Sequence, residues 1–174
     1  FAQRFLKLSE NIAVSCSNIV ISDNQVIADY VLEEYDIVSQ VIAYGGDNPL
    51  IKINHRRARQ GYALSLCRIE PENNVHIILE AFSVMNKQIR FVGNWDNSEY
   101  GRGLRSKFAS FSNIVLLDPI YDQVELHNIR SGCDVYIHGH SAGGTNPSLV
   151  EMMHYAVPIC AFDCAFNRAT LDNL

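Results

Sequence analysis

Short apolar runs alternate with amphipathic segments along most of the chain. After residue 61 the apolar runs predict five strands, at Ala63–Arg68, Gln88–Gly93, Asn113–Leu117, Asp134–His138 and Pro158–Phe162. Helical periodicity lies between them, at Asn74–Met85, Ser98–Ala109, Asp122–Ser131 and Ser148–Tyr155. Within the second of these segments, Gly101-Arg102-Gly103 is interpreted as a loop before Leu104. Because strands that alternate with helices are typical of parallel sheets with right-handed crossovers, the pattern predicts an α/β fold with a doubly wound parallel sheet.

Residues 1–48 carry a shorter version of the same alternation. After a helical start, the predicted elements are a strand, a helix N-cap, a helix and a second strand, at Asn18–Ser22, Ser22–Asn24, Gln25–Tyr35 and Ser39–Tyr44. Turn formers follow at Gly45–Pro49, and the basic stretch Ile51–Gln60 has no clear period. We therefore predict three parts: residues 1–48 as the end of one domain, 49–61 as a linker and 62–174 as the doubly wound domain.

The composition describes a soluble globular protein with a sizeable core, since 48% of the 174 residues are hydrophobic and 19% are charged. The formal net charge of -5 argues against duplex nucleic acid as a partner, because a phosphate backbone favours basic surfaces. No apolar run approaches the roughly 18 residues of a membrane span. The five cysteines are irregularly spaced, and Cys67, Cys133 and Cys160 fall in or beside apolar strands. We therefore expect reduced, buried thiols in a cytoplasmic protein.

The segment between the last two predicted strands has the features of an anion site. Gly143-Gly144 can take backbone conformations closed to other residues, Asn146 can cap a helix, and Pro147 fits its first turn. Such a turn presents unpaired N–H groups and the positive end of the helix dipole, where phosphates bind. Glu151 follows about one turn later, where its carboxylate can reach a hydroxyl-bearing ligand. The pattern predicts the floor of a nucleotide-sugar site.

Ligands of doubly wound sheets bind outside the carboxyl ends of the strands. This rule places along one edge Arg68, Gly93-Asn94, Asp118-Pro119-Ile120 and the turn His138–Asn146. A guanidinium at a strand end suits bidentate binding of a diphosphate, although Arg68 can equally be a surface residue paired with Glu70 or Glu72. A glycine at position 93 lets the backbone approach a ligand, although any turn after a strand can use one.

Other chemistries find little support in the sequence. His138, His140 and His154 lack a recognisable metal-ligand spacing, Cys160-x-x-x-Cys164 is not a usual thiolate pair, and no Asp-x-Asp is present. We therefore expect no metal. Gly139-His140-Ser141-Ala142-Gly143 has the G-x-S-x-G spacing of a nucleophile motif, but no plausible ordered acid accompanies Ser141. The sequence lacks a G-x-x-x-x-G-K-[ST] phosphate loop and a G-x-G-x-x-G after the first strand. Nucleophilic catalysis, ATP hydrolysis and hydride transfer are thus disfavoured.

Three segments, in this order, resemble the C-terminal domain of GT-B glycosyltransferases of the large family-4 group: LSLCRIEPENNVHIILEAF, IRFVGNW and DVYIHGHSAGGTNPSLVEMM. HSAGGTNPSLVE and the later FDCAFNRAT resemble a subgroup of bacterial rhamnosyltransferase-like enzymes of surface polysaccharide assembly. The resemblance covers nearly the whole chain. It implies a Rossmann-like, nucleotide-sugar-binding domain at residues 62–174, with the tail end of the N-terminal, acceptor-binding domain at residues 1–48. Since the sequence starts at Phe1 without Met, we expect a piece of a longer chain.

The resemblance implies roles for the residues of the candidate site. Arg68 grips the donor diphosphate, and Glu151 holds the donor ribose; these two are the candidate catalytic residues. The backbone at Ser148 and Leu149 cradles the phosphate. The remaining donor-binding candidates are Gly93 and Asn94 near the phosphates, Asp118, Pro119 and Ile120 near the nucleobase, and the turn of Gly143, Gly144, Thr145 and Asn146.

Two positions depart from the family pattern. Asn73 stands where the family commonly has a lysine, so a cation on the diphosphate is lost. Gly143 stands where the family has the first glutamate of a pair, and the Gly143–Thr145 backbone or the Thr145 side chain would replace it.

The implied activity is metal-independent transfer of a sugar from a nucleoside diphosphate, without a cofactor, and the subgroup suggests dTDP-rhamnose as donor. Arg68 and the helix N-terminus would stabilise charge on the leaving diphosphate. The acceptor would be a saccharide or lipid-linked saccharide bound by the N-terminal domain, which would also mediate peripheral association with the inner face of the membrane. The chain alone is expected to bind nucleotide yet be nearly inactive. A UDP-sugar epimerase of the same architecture and a non-catalytic nucleotide-sugar-binding module remain open alternatives.

Overall fold

A computed structural model describes residues 2–46 and 59–172. Most of the predicted linker, residues 49–58, lies outside the described residues. The chain divides into two compact units. The first unit comprises Phe1–Tyr44, Gly143–Thr145 and Cys164–Leu174, and the second comprises Gly45–Ala142 and Asn146–Asp163.

Helices and strands alternate within residues 2–46 and again within residues 59–172. In chain order they are α1 (Ala2–Cys16), β1 (Ile21–Ser22), α2 (Gln25–Tyr35), β2 (Gln40–Val41), β3 (Tyr62–Leu66), α3 (Val75–Ser83), β4 (Gln88–Val92), α4 (Glu99–Phe108), β5 (Ile114–Leu117), α5 (Gln123–Gly132), β6 (Val135–His138), α6 (Pro147–Met153), β7 (Ile159–Ala161) and α7 (Ala165–Thr170). A short 3₁₀ turn, Pro71–Asn73, precedes α3.

The first unit contains a two-stranded parallel sheet, β1–β2, in which Ile21 pairs with Gln40. Helix α2 joins the two strands and begins after Asn24, whose side-chain oxygen accepts a hydrogen bond of 3.0 Å from the N–H of Ile27. This satisfies one of the N–H groups that a helix start leaves unpaired. The predicted cap and the predicted bounds of α2 are confirmed, whereas both strands are shorter than predicted.

The second unit is built on a five-stranded sheet with the order β5-β4-β3-β6-β7, in which every pairing is parallel. Ala63 in the central strand pairs with Ile89 on one side and with Val135 on the other. Helices α3 and α4 pack against each other, and α5 packs against β3. The chain runs outward from β3 through β4 to β5 and then returns to β6 and β7 on the other side of β3. Because parallel crossovers are right-handed, such a reversal of direction places helices on both faces of the sheet. The predicted doubly wound α/β fold is confirmed.

The core of this unit lies where α3 and α4 cover the sheet. Its side chains are almost fully buried and include Leu79, Phe82, Phe91, Trp95 and Phe108. The rings of Phe91 and Trp95 meet edge to face with centroids 5.3 Å apart, and the indole N–H donates to the carbonyl of Leu117 at 2.9 Å. Apolar packing and this hydrogen bond together hold the end of β5 against the turn after β4.

Two expectations about individual residues are wrong. Gly101-Arg102-Gly103 is not a loop but part of α4, because the helix starts at Glu99 with Ser98 as its N-cap. A Cβ on Gly101 would lie 2.3 Å from the carbonyl oxygen of Trp95, so close packing explains that glycine. Cys160 is exposed rather than buried, since it lies in the edge strand β7. All five cysteines are free thiols.

Candidate functional site

A cleft of about 310 Å³ opens at the carboxyl ends of three neighbouring strands of the second unit. Its walls are the ends of β3 and β4, the loop after β5 and the first turn of α6. The residues that line it are Leu66, Cys67, Arg68, Val92, Gly93, Asn94, Pro119, Ile120, Tyr121 and Ser148. We call it the strand-end cleft. Six of the residues proposed from the sequence therefore lie together here: Arg68, Gly93, Asn94, Pro119, Ile120 and Ser148.

Arg68 is the cationic side chain of the strand-end cleft. It is exposed, directly after β3. Among the described residues it makes no ion pair with Glu70 or Glu72, so the alternative of a surface pair with these residues is not realised. Its backbone is fixed, because the side-chain amide of Asn73 donates to the Arg68 carbonyl at 2.8 Å. A guanidinium on an anchored backbone can bind an anion with little loss of backbone freedom.

Close packing explains why a glycine occupies position 93 in the wall of the strand-end cleft. A Cβ at this position would lie 2.4 Å from Cδ1 of Ile69 and 2.8 Å from the carbonyl oxygen of Cys67. Only glycine therefore fits between the turns that follow β3 and β4. Burial raises the pKa of the Cys67 thiol to about 12, so this cysteine stays protonated in the cleft wall.

Asp118 lies beside the strand-end cleft rather than in it. Its largely exposed carboxylate accepts a hydrogen bond of 2.9 Å from Arg105, whose guanidinium also contacts Asp96 at 3.2 Å. Asp118 lines a second cavity of about 650 Å³ between α5 and strands β4 and β5. The two cavities share Pro119, Ile120 and Tyr121, so the loop after β5 separates them.

The start of α6 has the predicted cap but not the predicted unpaired amides. The side-chain oxygen of Asn146 accepts from the N–H of Ser148 at 3.0 Å, and its backbone carbonyl accepts from the N–H of Leu149 at 3.0 Å. The expectation that these N–H groups are unpaired is wrong, because Asn146 already occupies them. An anion at Ser148 would therefore compete with the Asn146 side chain. The Leu149 side chain is fully buried, which leaves only its backbone for a ligand.

Gly143, Gly144 and Thr145 cluster with the first unit, and their contacts there explain their identities. Gly143 has a φ of 109°, a conformation that favours glycine. The N–H of Thr145 donates to a carboxylate oxygen of Asp23 at 3.3 Å, and its hydroxyl accepts from the Asn24 side chain at 2.9 Å. This turn is thus hydrogen-bonded to the residues that start α2.

Glu151 has a partner that the sequence did not indicate. Its carboxylate is hydrogen-bonded to the guanidinium of Arg130, from the last turn of α5. The Arg130 side chain is 10% exposed and that of Glu151 is 32% exposed. The only sequence signal for Arg130 is a basic residue at the end of an amphipathic helix, which is normally a solvated position.

Two histidines, His138 at the end of β6 and His140 in the turn that follows, are kept neutral by their surroundings. Burial lowers the pKa of His138 to about 4. Burial, and then the positive charge of Arg68, lowers the pKa of His140, and Glu72 opposes this shift. Nδ1 of His140 lies 2.6 Å from the side-chain oxygen of Asn73. In the parts of the chain that the structure describes, no group of three His, Cys, Asp or Glu side chains is placed to hold a metal ion.

Within residues 2–46 and 59–172, every helix is too short or too polar to cross a membrane.

Solved structures provide the comparison with known proteins, since no protein-family model and no curated protein matches the sequence. HepE of Anabaena in complex with UDP-glucose is 17% identical, with a TM-score of 0.71 over 92% of this chain and 49% of its own. Sucrose-phosphate synthase of Thermosynechococcus elongatus is 15% identical, with a TM-score of 0.68 over 88% of this chain and 43% of its own.

The pneumococcal O-GlcNAc transferase GtfA, in complex with UDP and GlcNAc, is 18% identical, with a TM-score of 0.59 over 86% of this chain and 30% of its own. This chain therefore spans half the length of these structures or less. At such identities the likeness establishes the fold. The chain has the α/β fold of the GT-B glycosyltransferases.

Proposed function

We propose that this chain is the donor-binding part of a glycosyltransferase and that a nucleoside diphosphate sugar binds in the strand-end cleft. The observation that carries the proposal is the position of Arg68, an exposed guanidinium without a carboxylate partner among the described residues, in a cleft lined by three strand ends. In doubly wound folds this edge of the sheet is where ligands bind. The complexes of HepE with UDP-glucose and of GtfA with UDP and GlcNAc support the same ligand class.

Each residue of the proposed site has a chemical task. Arg68 binds the diphosphate, assisted by the N–H of Ser148 once the ligand replaces the Asn146 side chain, and by the N–H of Leu149 as a bond shared with the Asn146 carbonyl. Glu151 accepts hydrogen bonds from the ribose hydroxyls. Backbone at Gly93 and Asn94 lies along the phosphates, and the loop Asp118–Ile120 covers the nucleobase. A role of Gly143, Gly144, Thr145 and Asn146 in holding the donor sugar is proposed from the sequence resemblance alone.

The proposed reaction is glycosyl transfer without a metal. As the bond to the anomeric carbon breaks, negative charge grows on the leaving diphosphate. Arg68 stabilises that charge in the transition state more than in the bound donor, which lowers the barrier. No proton transfer to the leaving group is required, because a diphosphate is a stable anion at neutral pH.

The acceptor is proposed to bind on the N-terminal domain to which residues 1–48 would belong. Four apolar side chains of α1, those of Phe5, Leu6, Leu8 and Ile12, are each more than half exposed. An apolar surface of this kind fits a unit that packs against further parts of a larger domain. A saccharide or lipid-linked saccharide acceptor, association with the inner face of the membrane and a role in surface polysaccharide assembly are proposed from the sequence resemblance, as is dTDP-rhamnose as donor.

A thermal-shift screen of dTDP, UDP and GDP tests the proposal. A ligand that binds only the folded protein raises its melting temperature, by an amount that grows with the ratio of ligand concentration to Kd. We expect at least one of the three to raise it, and the corresponding nucleoside without phosphates to have a much smaller effect. If none of the three diphosphates stabilises the protein at millimolar concentration, the proposal is wrong.

A further inference from the structure

The buried end of α5 carries a charged side chain that the reaction described above does not use. The last turn of this helix is buried at Ile129, Arg130, Ser131 and Gly132. Arg130 is an unusual residue to find there, because a guanidinium removed from water loses several kcal/mol of hydration. Its only ion pair among the described residues is with Glu151. We propose that Arg130 is a positioning residue that holds the Glu151 carboxylate for the hydroxyls of the nucleotide ribose, an inference that rests on the proposed function.

Glu151 does not line the strand-end cleft itself, but it lies on the helix whose first turn does. Ser148 lines that cleft, and Glu151 follows it by three residues in α6. Residues three apart in a helix are neighbours on the same face, about 5–6 Å apart at Cβ. About a third of the Glu151 side chain is exposed, and one of its carboxylate oxygens is bound to Arg130.

The surroundings of Arg130 leave the guanidinium little freedom to move. The Tyr155 hydroxyl interacts with it and lies 3.3 Å from Nδ1 of His127. Tyr136 is fully buried nearby, and its hydroxyl donates to the carbonyl of Leu66 at 3.2 Å. The Arg130 Nε is itself buried and has no acceptor among the described residues. Burial and the contacts with Glu151 and Tyr155 thus restrict the guanidinium, and one of its N–H groups is left without an acceptor.

Stability alone does not explain such an arrangement. A buried ion pair is often no more stabilising than apolar side chains of similar volume. Here the pair leaves one donor without an acceptor, which adds a further cost. An ordered carboxylate at the edge of a ligand cleft provides the compensating benefit, since an acceptor fixed before binding loses less entropy when the ligand arrives.

The test compares two ligands that differ only in the ribose. The first is whichever of dTDP, UDP and GDP stabilises the wild type most, and the second is its 2′,3′-dideoxy analogue, which lacks both sugar hydroxyls of UDP or GDP and the single 3′-hydroxyl of dTDP. We expect the wild type to prefer the ligand with ribose hydroxyls by roughly tenfold or more in Kd, since hydrogen bonds to a charged acceptor have this strength. In Arg130→Met the preference should fall to within about twofold, while Kd for the dideoxy analogue changes little.

Conservative and control variants separate this role from general stability. Arg130→Lys keeps the charge but not the planar geometry, and we expect it to restore part of the preference. Lys107→Met breaks an exposed ion pair between Lys107 of α4 and Glu80 of α3. It should keep the full preference for the ligand with sugar hydroxyls. A preference in Arg130→Met equal to that of Lys107→Met would overturn the inference.

A second comparison covers the case in which Arg130→Met does not fold. The double variant Arg130→Met/Glu151→Gln leaves no orphaned charge and should fold. If Arg130 acts through Glu151, the double variant and Glu151→Gln show the same ligand preference; a further loss in the double variant overturns the inference. Failure of the proposed function is distinguishable, because then no nucleoside diphosphate stabilises the wild type at all.

Discussion

The side-chain oxygen of Asn73 lies 2.6 Å from Nδ1 of His140, so a residue from the turn after β3 is hydrogen-bonded to one from the turn after β6. Because the Asn73 amide nitrogen donates to the Arg68 carbonyl, the Asn73 oxygen is the acceptor and His140 Nδ1 carries the proton. Asn73 is 2% exposed. One buried amide therefore fixes both the backbone that carries Arg68 and the orientation of the neighbouring imidazole.

Replacing this amide should cost stability. Asn73→Ala removes two side-chain hydrogen bonds and leaves the Arg68 carbonyl and His140 Nδ1 without these partners, so we expect a loss of about 2–3 kcal/mol in the free energy of unfolding. Urea denaturation measures it. Gln25→Ala is the matched control, because it removes an exposed amide that bonds to Asp29 in α2 and should change stability by less than about 0.5 kcal/mol. Equal losses in the two variants would contradict the role of Asn73.

Removing the Arg68 side chain should weaken nucleotide binding without unfolding the protein. We expect Arg68→Ala to reduce the affinity for the nucleoside diphosphate by about 1.5–3 kcal/mol, as for a lost hydrogen bond to a charged group. Calorimetry measures this change, with Arg102→Ala as the control because Arg102 is an exposed arginine of α4 that does not line the cleft. Unchanged affinity in Arg68→Ala would remove Arg68 from the site.

Acid should destabilise the fold through His138. The pKa of this residue is about 4 in the folded protein and about 6.5 in an unfolded chain, so unfolding takes up a proton between these values. Its contribution is complete above about pH 6.5 and is lost as the pH falls towards 4. We expect the free energy of unfolding to fall by about 2–3 kcal/mol more in the wild type than in His138→Leu between pH 7 and pH 4.5. Parallel pH profiles of the two proteins would show that His138 is not responsible.

Two glycines of the same helix should respond to alanine in opposite directions. A Cβ on Gly101 would lie 2.3 Å from the Trp95 carbonyl oxygen, whereas a Cβ on Gly103 meets no atom within 4 Å. Gly103→Ala should therefore stabilise the protein by about 0.5–1 kcal/mol through reduced entropy of the unfolded chain. Gly101→Ala should destabilise it by about 1–3 kcal/mol, because the backbone at Trp95 must move. Thermal unfolding of both variants checks the pair, and stabilisation by Gly101→Ala would contradict the packing described for α4.

The architecture could be predicted from the sequence because it depends on local periodicity. Each of the five strands of the second unit was predicted within two residues of its observed ends, and α2 with its Asn24 cap was predicted at its observed bounds. The rule that ligands bind at carboxyl strand ends also brought together five of the ten residues that line the strand-end cleft. These inferences need only the order of elements along the chain.

The contacts that shape the site could not be predicted in this way. The pairs Arg130–Glu151 and Asn73–His140 join residues far apart in sequence, and neither has a local pattern. The occupied amide of Ser148 depends on the rotamer of Asn146. Gly101 was misinterpreted because a glycine that permits close packing looks the same in sequence as one that breaks a helix.

The parallel pairing of β3 with β6 has a consequence for the order of folding. Ala63 pairs with Ile89 in the next strand along the chain, but it pairs with Val135 in a strand that is much farther away in sequence. Closing the longer loop costs more entropy and is slower, so the β3–β4 pair should form first and the β3–β6 pair late. Arg68 and Ser148 become neighbours only in that late step. A nascent or partly folded chain in which β6 has not yet paired with β3 should therefore be unable to bind a sugar nucleotide. Binding of the ligand would then indicate that this pairing has formed.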